Sequence, residues 1–184
     1  MNEIKLHLGC GSKYLDGFIH IDVDDKEHVD YPNTDISNLY MIEDNSVDLI
    51  YTCGSFEYFD REEALLVLRE WRRVLRPQAL LRISVPNFES IVKVYLKNKD
   101  LDGIGMLGPL YGKWELSNKK FLYHKTVYDF TSLEKLLERA GFKNVKKYDA
   151  EKILPVGYDD YSLAYVPHMD RTGIQMHLNV ECEK

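Results

Sequence analysis

The stretch Leu6-His7-Leu8-Gly9-Cys10-Gly11-Ser12-Lys13-Tyr14, continued by Phe18-Ile19-His20-Ile21-Asp22, decides how this chain is read. It predicts a short apolar strand, a Gly-x-Gly turn and a second strand that ends in a carboxylate. Lacking a Cβ, Gly9 and Gly11 let the backbone leave the first strand sharply and let a ligand come closer than any side chain would permit. A carboxylate at the end of the neighbouring strand can accept hydrogen bonds from both hydroxyls of a ribose, a charge-assisted pair. Asp22 stands at that place, so the pattern describes a nucleoside-binding edge.

A dinucleotide site would ask for Gly-x-Gly-x-x-Gly and an acidic residue about 20 positions on. Here the sixth position is Tyr14, and Asp22 follows Gly11 too soon for a full helix to intervene. A pyrophosphate would lose the helix N-terminus that normally binds it, which disfavours a nicotinamide oxidoreductase. A cofactor with a ribose but no phosphate fits better. On these residues the chain resembles the class I S-adenosylmethionine-dependent methyltransferases, and more narrowly the small members that open with a similar Leu-x-Leu-Gly-Cys-Gly segment.

The resemblance continues along the chain. Asp35, in Asn33-Thr34-Asp35-Ile36-Ser37, resembles that family's third acidic position, which contacts adenine together with the following backbone amide. Asn45 to Tyr51 resembles its fourth strand, and Cys53-Gly54-Ser55-Phe56-Glu57-Tyr58 the loop after it. Arg69 to Pro77 and Leu80 to Pro86 resemble the next helix, turn and fifth strand. The resemblance implies an α/β, Rossmann-like methyltransferase fold: a mostly parallel twisted sheet with helices on both faces and a C-terminal antiparallel hairpin. It implies S-adenosyl-L-methionine as cofactor and S-adenosyl-L-homocysteine as product. The implied cofactor site comprises Leu8, Gly9, Cys10, Gly11, Tyr14, Asp22, Val23, Asp35, Ile36, Cys53, Gly54 and Phe56. Three positions depart from the family pattern. His7 replaces an acid that would help hold the methionine end of the cofactor, Gln78-Ala79 replaces Gly-Gly after Pro77, and Tyr58 replaces a histidine.

Length and composition bound the rest. At 184 residues and 45% hydrophobic, the chain has room for one sizeable core, and residues 1–184 are read as a single domain. The net charge of −6, with no long basic run, argues against general binding of nucleic acid. There is no basic-then-apolar leader and no stretch near the roughly 20 apolar residues that span a bilayer, so a cytoplasmic protein without membrane contact is expected. Three cysteines, Cys10, Cys53 and Cys182, fit neither a disulfide framework nor a zinc site. They are expected to pack as thiols, and no metal is expected. Oligomeric state is left open.

Strands are expected near Lys5 to Leu8, Phe18 to Ile21, Val47 to Tyr51 and Leu80 to Val85, alternating with helices as in a parallel sheet. Asp60 with Glu63 opens a helix whose apolar positions Ala64, Leu65, Leu68, Trp71 and Leu75 share one face. Its other face carries Arg69, Arg72, Arg73 and Arg76, read as a solvated stripe. A second helix is expected from Thr131, with Glu134 three residues on, to a stop at Gly141. The aperiodic stretch of about 98–128 is too long for an ordinary connection, and after the fifth strand it falls over the cleft. It is read as a substrate-covering insertion. At the end, Ser162 to Val166 and Ile174 to Cys182 are expected as two strands, the second alternating Gln175, His177, Asn179 and Glu181 with Met176, Leu178, Val180 and Cys182.

Methyl transfer from a sulfonium asks the protein mainly to align the acceptor and exclude water. A base is needed only for a hydroxyl or a protonated amine. His124, in the covering segment, is the first candidate and Glu57 the second, each with a plainer role as a structural hydrogen-bonding or capping group. Tyr14, Phe56 and Tyr58 are candidates for cation–π contact with the sulfonium, worth roughly 0.5–2 kcal/mol. His20, between two isoleucines, is expected to face outward. The resemblance thus implies an S-adenosylmethionine-dependent methyltransferase, expected to act on a small-molecule or saccharide (glycan-precursor) acceptor. The alternative is a degenerate relative with a binding or scaffolding role, which His7, Tyr58 and Gln78-Ala79 motivate.

Overall fold

The computed structural model describes residues 3–102, 106–168 and 170–184; Gly103 to Gly105 of the expected covering segment and Met169 of the expected C-terminal turn lie outside the described residues. Strands β1 (Lys5–Leu8) and β2 (Ile19–Ile21) run parallel, and β3 (Val47–Cys53) pairs with the other edge of β1. Helix α1 (Arg61–Val74) leads directly into β4 (Leu75–Pro86). There follow α2 (Phe88–Asn98), α3 (Leu107–Tyr111) and a hairpin of β5 (Lys113–Glu115) and β6 (Phe121–Tyr123). The last third holds α4 (Phe130–Arg139), β7 (Lys143–Lys147), α5 (Ala150–Ile153), β8 (Tyr165–Val166), β9 (Ile174–Gln175) and β10 (His177–Glu183).

Six strands form one mixed sheet in the order β2-β1-β3-β4-β10-β7. The first four are parallel, and β10 runs antiparallel between β4 and β7. The expected final strand divides at Met176. Its first two residues pair with β8 as a small antiparallel hairpin outside the main sheet, and the rest inserts as β10. Segment 162–166 supplies only two extended residues because a 3₁₀ turn occupies Tyr161–Leu163. Among the described residues no helix is long and apolar enough to cross a membrane.

The two faces of the sheet differ in chemistry. On one, Leu81, Ile83, Val85, Leu178, Val180 and Cys182 pack with Leu68, Trp71, Leu133 and Leu137 of α1 and α4 into the main core. Burying each such large apolar side chain contributes roughly 1.5–3 kcal/mol relative to leaving it exposed. Asp60 and Glu63 close a capping box on α1, as their spacing predicts. Helix α4 begins one residue earlier than expected, because Asp129 caps it with Ser132 and the Thr131–Glu134 pair is not used.

On the other face a polar row crosses the whole sheet in register: His20, His7, Tyr51, Arg82, Glu181 and Lys146. Arg82 and Lys146 both pair with Glu181, at 3.0 and 3.3 Å. This row corrects the reading of His20, which is 1% exposed. Its Nε2 accepts the Leu15 N–H at 3.0 Å, and Tyr14 stacks over its ring at 4.8 Å. The arginine stripe of α1 is also more than a solvated surface. Arg73 donates to Glu70, Asp44 and the Leu39 and Ile42 carbonyls and Arg72 to the Gly141 carbonyl, so the helix gathers two neighbouring segments, while Arg76, already in β4, donates to Asp48 of β3.

Between β3 and β4 the register slips where residues 76–79 loop out, and Gln78 takes φ +68°. That left-handed backbone costs an L side chain about 1–2 kcal/mol, part of which glycine would return as lost unfolded-chain freedom. Gln78→Gly is expected to raise the unfolding free energy by up to about 1 kcal/mol, measured as a higher urea midpoint at unchanged slope. A lower midpoint would mean that the Gln78 side chain contributes more than its backbone costs.

Candidate active site

At the end of β1 the chain turns at Gly9, with φ +63°. The Gly9 N–H donates to the Ile21 carbonyl at 2.8 Å, and the Ser55 hydroxyl, from the turn after β3, donates to the Gly9 carbonyl at 2.9 Å. A Cβ on Gly9 would lie 2.1 Å from Ser55 Oγ, so the two turns interlock only because that position is bare. Just past β2, Asp22 accepts the Gly11 N–H at Oδ2 (2.7 Å) and the Asp24 N–H at Oδ1 (2.8 Å). Each oxygen keeps a second lone pair. Asp35 Oδ1 accepts the Ser37 N–H at 2.8 Å, and the Trp71 indole N–H fixes the Ile36 carbonyl at 2.7 Å, tying this loop to the core of α1.

These turns form one wall of a cleft of about 1350 Å³. A pocket for a single drug-sized ligand is typically about 300–1,000 Å³, so two ligands can share this one. Gly9, Cys10, Gly11, Asp22, Val23, Asp35, Ile36, Cys53 and Gly54 line it. Leu8, Tyr14 and Phe56 are not among its lining residues. Leu8 is fully buried in the core, Phe56 packs between Trp71 and Tyr128 at 5.5 Å from each, and Tyr14 is exposed on the far side of His20. Of the three rings expected near a sulfonium, only Tyr58 lines the cleft.

The opposite wall comes from the stretch that the sequence left without a period. Pro109, Gly112, Trp114, Leu122 and His124 line the cleft, and a Cβ on Gly11 would stand 3.8 Å from Trp114. Two polar ties hold this wall down. Asp24 accepts the Ser117 N–H at 2.9 Å while paired with Lys26, and Lys125 reaches Glu63 at 2.7 Å. Burial works against the Asp24 charge, but Lys26 and Ser117 prevail and hold its carboxyl well below the usual range.

Glu57 and His124 meet on this wall, with Nε2 3.6 Å from Oε1. His124 Nδ1 lies 3.2 Å from the Pro109 carbonyl, an acceptor, so Nδ1 carries the proton and Nε2 is bare in the neutral ring. The Tyr58 ring meets the imidazole edge-on at 4.8 Å, and Gly112 is bare where a Cβ would lie 2.1 Å from Nε2. Glu57 is 1% exposed, and its Oε2 has no hydrogen-bond partner among the described residues. Burial pushes its carboxyl up to about 8 and pulls His124 below the ordinary imidazole value. Near neutral pH both are uncharged.

The structure also brings in residues that sequence reasoning did not select. His177, at the start of β10, lines the cleft beneath the Tyr161 ring, with Nδ1 3.0 Å from Ser84 Oγ. Burial drives its pKa down to about 3. Its place on the polar side of an alternating strand was the available signal. Asp160 and Tyr161 line the same end of the cleft from an irregular segment that carries no motif. His7 is buried there too, its Nδ1 without a partner among the described residues and its pKa lowered to about 3 by burial and by His20 and His28. The cysteines pack as thiols: Cys10 and Cys182 are buried and Cys53 is half-buried at the cleft.

Comparison with known proteins agrees with this geometry. A family model described as a methyltransferase domain matches residues 17–83. No curated protein matches the sequence significantly. Among solved structures, an S-adenosylmethionine-dependent methyltransferase from Archaeoglobus fulgidus is similar at 16% identity and a TM-score of 0.59, covering 99% of this chain and 86% of that one. One from Methanosarcina mazei matches at 17% identity and 0.56, over 100% of this chain and 93% of that one. The Burkholderia thailandensis 1,6-didemethyltoxoflavin-N1-methyltransferase, solved with 1,6-didemethyltoxoflavin and S-adenosylhomocysteine bound, matches at 14% and 0.54, over 98% and 70%. At these identities the likeness is one of fold.

The state of Glu57 can be read without any substrate. Its folded pKa lies above the unfolded value of 4.5, so the native state binds more protons between those limits and loses stability as pH rises toward 8. Glu57→Gln removes that loss. Its melting temperature relative to the native sequence is expected to climb steadily from pH 5 to pH 8. A difference that stays constant across this window would show that Glu57 ionises normally.

Proposed function

We propose that this chain is a class I S-adenosylmethionine-dependent methyltransferase, that the methyl group goes to a hydroxyl of a small-molecule or glycan-precursor acceptor, and that His124, backed by Glu57, takes up the proton. The residues fit the cofactor. Bare positions at Gly9 and Gly11 open the turn, a half-satisfied carboxylate follows at Asp22, and the Asp35–Ile36 loop is held in place by Trp71. When bound, S-adenosylmethionine supplies an electrophilic methyl group on a sulfonium and is left as S-adenosylhomocysteine.

In this reading Asp22 accepts the ribose hydroxyls, and Asp35 with the Ile36 amide meets adenine. Gly9, Cys10, Gly11, Val23, Cys53 and Gly54 supply the close backbone walls. The segment around Trp114 and His124 covers the acceptor and excludes water, which orients the reacting groups and strengthens every charge inside. His124 takes the acceptor's proton at Nε2, and ionised Glu57 beside it stabilises the imidazolium that forms. A cleft with Tyr58, Phe121, Tyr123 and Tyr161 in its lining suits a sugar or an aromatic alcohol. The observation that carries the reading is the buried Glu57–His124 pair, 3.6 Å apart on the cleft wall.

The test offers methyl-labelled S-adenosylmethionine with a panel of small phenols, saccharides and nucleotide sugars. The expected product is a methyl ether, formed at a rate that rises with pH through an apparent pKa near 8, where Glu57 ionises. His124→Gln should slow the transfer by about 10²–10⁴-fold while calorimetric binding of S-adenosylhomocysteine is unchanged. Label found only on nitrogen or carbon, or a rate indifferent to His124, would overturn the proposal.

A further inference from the structure

Asp160 is a buried carboxylate on the cleft wall that the reaction above leaves unused. It descends onto the polar face of the sheet from the segment after α5. The Tyr51 hydroxyl donates to Oδ2, while the Ser162 N–H (2.9 Å) and hydroxyl donate to Oδ1. Those bonds fill Oδ1 and leave one lone pair on Oδ2. Tyr51 stands opposite His7 in register, their rings 5.4 Å apart, so Oδ2 is brought to the β1–β3 pair just before the Gly9 turn. All three donors are neutral, and among the described residues no lysine or arginine pairs with this carboxylate. A carboxylate buried among neutral donors is costly to keep, and an arriving cation offsets that cost.

We propose that Asp160 binds the α-ammonium of the cofactor's methionine end. The inference rests on the methyltransferase reading and adds a residue to it. With its nucleoside held at Asp22 on the β2 side of the Gly9–Gly11 turn, the cofactor would reach Asp160 if its amino-acid end extended toward β3, where Tyr51 and Asp160 meet. The other carboxylates that line the cleft are committed elsewhere. Asp22 and Asp35 serve the nucleoside, Glu63 is paired with Lys125, and Glu57 is a neutral acid near pH 7. His7, the nearest side chain on β1 itself, is neutral and offers no counter-charge. The acid missing from β1 is therefore supplied across space, by a residue more than a hundred positions later.

The experiment titrates the native protein and Asp160→Asn calorimetrically with S-adenosylhomocysteine and with its analogue lacking only the α-amino group. The native protein is expected to prefer the amine-bearing ligand about ten- to a hundredfold, the range of a hydrogen bond to a charged group, and Asp160→Asn to abolish most of that preference. Affinity for the deaminated analogue should stay within about twofold, which a collapsed loop would not allow. The amide can still accept from Ser162 and donate to the Tyr51 oxygen, so the variant keeps its local bonds. Asp160→Glu, retaining the charge, should restore part of the preference. A preference unchanged in Asp160→Asn, or equal losses for both ligands, would overturn the assignment. A native protein that binds neither ligand would instead overturn the methyltransferase reading from which it proceeds.

Discussion

The cleft depends on one interlock. The Gly9 carbonyl and the Ser55 hydroxyl join the turns that follow β1 and β3, and the space between them is too small for a single added carbon. Asp22 closes the same knot from the β2 side by accepting the Gly11 N–H. Three strand ends are thereby fixed against one another by two short side chains, Ser55 and Asp22, each holding a backbone group of the Gly9–Gly11 turn. A ligand that meets this floor finds it preorganised, which lowers the ordering cost of binding.

Around that floor the sheet divides its labour. Its apolar face, sealed by α1 and α4, supplies the burial that makes the fold stable. Its polar face carries histidines, tyrosines and an ion-paired arginine from one edge to the other, and the cleft opens at the carboxyl end of that face. In open α/β sheets ligands bind beyond the carboxyl ends of the strands. Here the choice of face follows from which side chains alternate toward it. Helix α1 serves both purposes, since Trp71 fills the core and also hydrogen-bonds the Asp35–Ile36 loop that lines the cleft.

Local signals carried far in this sequence. The Gly-x-Gly turn, the apolar runs and the Asp60–Glu63 box encode short-range geometry, and the strands and α1 follow from them. What was hidden depends on contacts distant along the chain. His20 reads as an outward strand residue because nothing nearby in sequence reveals that Tyr14 and the polar row enclose it. Asp160 stands in a segment without period or motif, and its meeting with Tyr51 is set by how that segment folds back over the sheet. Leu8, Tyr14 and Phe56 flank the turns in sequence, but backbone direction sends each of them away from the cleft. The long aperiodic stretch stood out by its length, whereas its β5–β6 hairpin did not, since each strand has only three residues.

His124 directly follows β6, and the next two amides, Lys125 and Thr126, donate to the carbonyl of Glu57 at 2.9 and 3.3 Å. The imidazole is thus mounted at the end of the hairpin and stitched by main-chain bonds to the very residue whose carboxyl it faces. The spacing of ring and acid is therefore set by backbone, and the tip of the hairpin can vary in sequence without changing it.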